Sequence, residues 1–292
     1  MSTSTFTLPR SNPPCKVALP DNLTQEQLLE FPAFKDWIST LQHTLALQER
    51  SDHTFHRDPY RLRQIDVQAA DWFGPKHLGF VKLQAKITTD NGEWVPGAVF
   101  LRGGSVGMLI ILQPDDIPEG SEKDKKVILT VQPRIAAGSL ALAEIPAGML
   151  DGGKLAGKAA EEIKEETGLE VHENELINMS ELAISRASTN LWKAQGANQR
   201  GSSPDAKEEL KNAMYPSPGA CDEFLPLFLC QKRLPRKELE TLGGKLTGLR
   251  NEGEKITLKL VPLEDVWIEG GRDAKALAAL ALYEGLRREK RL

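Results

Sequence analysis

The chain has 292 residues, long enough for one large core or two small ones. Lys+Arg number 37 and Asp+Glu 41, a formal charge of -4 that excludes a protein gripping nucleic acid by bulk charge. No apolar run nears the roughly 18–20 residues of a membrane span, and three widely spaced cysteines, Cys15, Cys221 and Cys230, point to free thiols rather than a disulfide scaffold or a cysteine metal site.

Residues 1–20 lack acids and an apolar h-region, so a secretory signal is not expected. Pro9, Pro13 and Pro14 oppose an amphipathic helix, and the segment is expected to be a disordered tail, with an organelle transit peptide as the alternative. A cytoplasmic location is expected on the first reading. Thr24 and Gln27 fit a capping box, and Phe34, Trp37, Ile38, Leu41 and Leu45 recur at helical spacing up to about Glu49. His53 and His56 stand in a polar stretch with no Cys or further His nearby and are expected in a solvated loop. Val81, Leu83, Ala85 and Ile87 alternate with polar residues as in a half-buried strand. Asp90-Asn91-Gly92 then turns the chain, and Trp94 to Leu101 returns, bent at Pro96-Gly97. Trp72, Phe73 and Trp94 are expected in the core or a dimer interface.

Three apolar runs follow, Val106–Leu112, Val127–Val131 and Leu140–Ile145. A helix from about Ala156 to Thr167 ends at Gly168, a glycine stop signal. The long polar segment 188–214 reads as an insertion. Phe224–Gln231 and Ile256–Val261 are strands, and Asp273 to Arg288 is a closing amphipathic helix with an acid at its start and cations at its end.

The helix before Gly168 is the informative one. Glu162, Glu165 and Glu166 lie at i, i+3 and i+4 and share one face, with Glu161 beside them. Like charges so placed repel, and a hard divalent cation among the oxygens relieves them. Gly148 to Gly153 is a glycine-rich approach to that face. The stretch Glu162-Ile163-Lys164-Glu165-Glu166-Thr167-Gly168-Leu169 resembles the closing part of the Nudix box, Glu-U-x-Glu-Glu-x-Gly-U with U aliphatic. Two positions depart from the pattern. Glu161 stands where the box has Arg, and Gly148 to Leu169 is one residue short, leaving Gly153 or Lys154 where the first Glu belongs. In the family that Arg orients a metal-binding Glu, so a basic residue from elsewhere replaces it here or the ion pair is unmade.

Further segments resemble the ADP-sugar and ADP-ribose diphosphatase branch, of the plant and fungal type. They are Arg102 to Val106, Val131-Gln132-Pro133-Arg134, Glu144-Ile145-Pro146-Ala147-Gly148, Tyr215 to Glu223 and Asn251 to Ile256. The resemblance implies an α/β Nudix sandwich with a mixed sheet over 99–292, preceded by an amino-terminal helix and β segment over 21–98. It implies Mg²⁺ or Mn²⁺ held by Glu162, Glu165, Glu166 and Ala147, and substrate contacts from Arg134, Gly148 and Glu223. Glu254, or else Glu252, is expected as the general base, with a box glutamate such as Glu165 as the remaining candidate for that role. The implied substrate is a small nucleotide-sugar, ADP-linked or alternatively UDP-linked. A homodimer is implied by the same resemblance, with no nucleic acid and no membrane partner. A catalytically weak nucleotide-sugar binder is the rival reading that Glu161 favours.

Overall fold

The computed structural model describes residues 4–150, 155–185, 208–249 and 253–292. The chain divides into two units, one formed by residues 1–104, 191–211 and 217–224, the other by 105–190, 212–216 and 225–292.

In the first unit a six-stranded sheet runs β1 (Ser4–Thr7), β2 (Lys16–Leu19), β3 (Arg61–Phe73), β4 (His77–Thr88), β5 (Trp94–Val95), with β6 (Ala98–Leu101) also on β4. The expected tail is corrected here: residues 4–19 form β1 and β2, and β2 lies parallel to β3 with Val17 opposite Ile65. The prolines punctuate a turn, closed by the Leu8 N–H to the Cys15 carbonyl at 2.8 Å. Leu8, Cys15, Val17 and Leu19 carry enough apolar surface to bury, so poverty in acids did not mean disorder. Helices α1 (Gln25–Glu30) and α2 (Pro32–Leu47) follow, and the Thr24–Gln27 capping box forms as read. In β4 the alternation holds, with Val81, Leu83, Ala85 and Ile87 buried and Lys82, Gln84 and Lys86 exposed. Gly97 lies so close that a Cβ there would come within 2.0 Å of the Ala85 carbonyl oxygen, which explains the break between β5 and β6. Trp72 packs on this core, but Trp94 is 71% exposed and Phe73 stacks on His77 at the surface.

The second unit carries an eight-stranded mixed sheet. Its order is β11 (Leu176–Asn178), β12 (Leu227–Leu234), β7 (Ser105–Pro114), β8 (Lys126–Arg134), β14 (Ile256–Pro262), β13 (Leu246–Thr247). Strands β9 (Ser139–Glu144) and β10 (Ala147–Met149) pair with β8 and β7. Among the described strands of this sheet only the β12–β7 pairing is parallel. Every residue of β7 is buried, as its unbroken apolar run requires of a strand covered on both faces. Val106, Met108, Ile110 and Leu112 meet Ala159 and Ile163 of α3 (Leu155–Thr167) and Leu239 and Leu242 of α4 (Arg236–Leu242). Leu109 and Ile111 meet the other side, where Val266 of α5 (Val266–Glu269) and Ala276, Ala279, Tyr283 and Leu286 of α6 (Ala274–Arg288) lie. The result is a sheet between helices, the expected α/β layering. Each buried Leu or Ile in these layers contributes about 1.5–3 kcal/mol. The segment 188–214 lies mostly outside the described residues, and so does Glu252.

Cys15 and Cys230 are fully buried, and burial pushes both thiols up to about 11. A thiol whose pKa is raised stays protonated and inert below that value. Disulfide-exchange reagent at pH 8 is expected to titrate at most one thiol, Cys221, in the folded chain and all three after denaturation; early modification of Cys15 or Cys230 would contradict the packing.

Candidate metal and phosphate site

The site grows from α3. Ala159 and Ile163 face the sheet and fix the helix about its axis. That orientation drives Glu162 and Glu166, one turn apart, into the protein rather than into water. Glu166 is 1% exposed. The Ala147 N–H donates to its Oε2 at 3.1 Å, and Glu166 has no other side-chain partner among the described residues. The Thr247 hydroxyl donates to its backbone carbonyl at 2.5 Å, tying the helix end to β13. Gly168 then stops the helix in the left-handed region at φ 75°, as its position predicted.

Glu162 lies against the backbone of β10. A Cβ at Gly148 would fall 1.8 Å from the Glu162 carboxyl carbon, so only glycine lets the carboxylate sit there. Lys158 stands over the other side of this carboxylate. Its Nζ lies 3.0 Å from Glu162 Oε1 and 3.1 Å from Glu161 Oε2. Burial works against the Lys158 charge, but the hydrogen bonds to Glu162 and Glu161 outweigh it and hold the ammonium above its ordinary range.

The electrostatics of the acids are those of a site with too little positive charge. Burial raises the Glu162 pKa, Lys158 opposes the rise, and the charges of Glu165 and Glu254 add to it. Burial raises Glu166 well above its ordinary value, with Glu162, Glu254 and Glu144 repelling it and the Ala147 N–H pulling the other way. Glu254 therefore bears on both box acids. Its own Oε2 accepts the Leu249 N–H at 2.9 Å. Glu165 is only partly buried.

Arg134, at the end of β8, donates its Nε to Glu144 Oε1 at 2.5 Å. Lys275 Nζ reaches the other Glu144 oxygen and Asp273 Oδ1, each at 2.9 Å. Asp273 caps α6 through the Lys275 N–H and also accepts the Ile145 N–H at 3.0 Å. The strand leading into Ala147 and Gly148 is thereby anchored to the closing helix. The sequence flagged Asp273 only as a helix start; Glu144 appeared only inside a motif, and Lys275 carried no signal.

Of the sequence-predicted residues, Ala147, Gly148, Glu162, Glu165, Glu166, Glu254 and Arg134 all belong to the second unit. Glu223 belongs to the first, where it pairs with Arg102 at 2.9 Å while Asp222 accepts the Arg102 and Gly103 N–H groups at 2.8 and 3.1 Å. Among the described residues no three Asp, Glu, His or Cys side chains already form a closed ligand set. Glu162 meets Lys158 through Oε1, and Glu254 accepts the Leu249 N–H through Oε2. The donors nonetheless fit a hard cation: they are carboxylate oxygens, two of them are buried, and Glu166 lacks a cationic partner among the described residues.

No family profile matches the chain. It is 31% identical over 294 residues to Nudix hydrolase 14, chloroplastic, of Arabidopsis thaliana, an alignment that covers 98% of this chain and 82% of that protein. A solved structure titled as that of an ADP compounds hydrolase shares 15% identity with a TM-score of 0.43 over 79% of this chain and 98% of that one, too loose a likeness to bear on the site. No helix among the described residues is long and apolar enough to cross a membrane.

A buried charge without a counter-charge costs stability, and its neutral isostere keeps the Ala147 hydrogen bond. In the presence of chelator, Glu166→Gln is expected to be more stable than the wild type by about 1 kcal/mol or more. Millimolar Mg²⁺ should then raise the melting temperature of the wild type and not that of the variant. Equal melting temperatures in chelator, measured by calorimetry, would contradict the uncompensated burial.

Proposed function

Since the chain belongs to the Nudix hydrolase family, we propose that it hydrolyses the diphosphate bond of a nucleotide-sugar, an ADP-sugar or ADP-ribose, to AMP and a sugar phosphate. The observation that carries this reading is the buried pair Glu162 and Glu166 on one face of α3, pressed against Ala147 and Gly148, with the Glu254 charge bearing on both.

Glu162, Glu165, Glu166 and the Ala147 carbonyl are the groups to hold Mg²⁺ or Mn²⁺. Bound there, a divalent cation supplies neutralisation of the diphosphate charge and acidifies water. The chain's own residues do the rest. Gly148 contacts the substrate through its backbone, its side-chain space being filled by the Glu162 carboxyl. Arg134, its Nε fixed on Glu144, has its terminal nitrogens left for a non-reacting phosphate. Glu254 takes the proton of the attacking water. Attack at one phosphorus breaks that atom's bond to the bridging oxygen, which leaves with the other phosphate. Glu223 is part of the proposal as a substrate contact, and so is a homodimer.

Purified chain with Mg²⁺ and ADP-ribose or ADP-glucose is expected to release AMP and sugar phosphate, and chelator should abolish the release. Glu254→Gln should lower kcat by about 10²–10⁴ with little change in KM, because it removes the base and leaves the cation ligands. Preference for UDP-sugars in the same assay would correct the base assignment. Tight ADP-ribose binding with no turnover would make the chain a binder and sink the hydrolytic reading.

A further inference from the structure

We propose that Lys158 is the positioning residue of α3: its ammonium holds the Glu162 carboxylate in the orientation in which that carboxylate takes up a divalent cation. The inference rests on the reading of Glu162 as a ligand. Local helix energetics do not account for Lys158. It is the fourth residue of α3, close to the positive end of the helix dipole, where a cation is disfavoured. Its partner Glu162 lies four residues towards the carboxyl end, the weaker of the two orders for such a pair. The side chain is nevertheless drawn in until only 18% of it is exposed.

The two acids it touches differ. Glu161 is 57% exposed, and solution ions can screen it. Glu162 is 12% exposed and is closed on one side by the Gly148 backbone, so its orientation is set between that backbone and the ammonium. Removing Lys158 leaves the carboxylate free to turn and without its one cationic contact among the described residues. Glu161 occupies the position at which the Nudix pattern carries its Arg, so the cation has moved one helical turn upstream. An arginine at 161 should then do the work of Lys158.

The experiment compares full-length wild type, Lys158→Met, Lys158→Arg, Glu161→Gln and the double variant Lys158→Met with Glu161→Arg. Free Mn²⁺ is read by electron paramagnetic resonance, turnover is read on ADP-ribose, and far-ultraviolet circular dichroism checks the fold. Loss of a group that orients a ligand typically costs about 10–100-fold in metal affinity or activity. Lys158→Met is expected to lose that much in both Mn²⁺ affinity and kcat, with an unchanged dichroism spectrum. Lys158→Arg and the double variant should recover most of both, and Glu161→Gln should stay near wild type in Mn²⁺ affinity. Mn²⁺ binding by Lys158→Met as tight as wild type, or tighter, overturns the proposal and makes the ammonium a competitor for the site. A double variant no better than Lys158→Met overturns it too. Should Lys158→Met fail to fold, the exposed Glu161→Gln decides: a Mn²⁺ affinity lowered as far as about tenfold contradicts the division of roles between the two acids. Mn²⁺ binding is read without substrate, so a wild type that binds Mn²⁺ but hydrolyses no nucleotide-sugar sinks the proposed function and leaves this test intact. A wild type that binds no Mn²⁺ overturns both.

Discussion

The constraint on which the second unit depends is the burial of Glu162 and Glu166 against the backbone of β10. A carboxylate removed from water costs several kcal/mol unless hydrogen bonds or cations compensate it. Glu166 has one amide hydrogen bond, and Glu162 has one lysine. The helix that carries them must therefore be held by something else. Ala159 and Ile163 do this, packed on a sheet whose central strand is covered on both faces. The apolar layers are what permit a concentration of negative charge to exist in the folded chain.

The same arrangement explains why so much anchoring converges on the strand before Ala147. Glu144 is held by Arg134 and Lys275, and Ile145 by Asp273. Each is a charged contact at a buried or half-buried point, where the low dielectric strengthens it. If β9 and β10 shifted, the Ala147 amide would leave Glu166 and the Gly148 cradle would leave Glu162. The network around Asp273 thus acts on the site from outside it, through the backbone.

Much of this was legible in the sequence because it is local. The shared face of Glu162, Glu165 and Glu166 follows from helical spacing, the stop at Gly168 from its freedom at positive φ, and β4 from strict alternation. The Asp273 cap and the Thr24–Gln27 box are also short-range patterns. What could not be read was non-local or compositional. Lys275 meets Glu144 across 131 positions, and no periodicity announces such a pair. The amino-terminal strands were hidden because prolines and scarce acids describe disorder and tight turns equally well. Lys158 is an intermediate case. Glu161 in the arginine position left a cation unassigned, and only the folded geometry brings the Lys158 ammonium to 3.0 Å from Glu162.

Both units are closed by chain that is synthesised late. The loop at Arg102 in the first unit is bonded by Asp222, 120 positions downstream, and the strand end at Ile145 in the second by Asp273, 128 positions downstream. The parallel partner of β7 is β12, which also follows the whole of α3. On the ribosome, therefore, neither unit can be finished before the other has begun, and the usual order in which an amino-terminal domain folds before its successor is denied to this chain. Pairings this distant also slow the search for the native topology. Until Asp273 emerges, the strand end at Ile145 lacks its acceptor. The anchoring around the buried acids of α3 is therefore complete only near the end of synthesis.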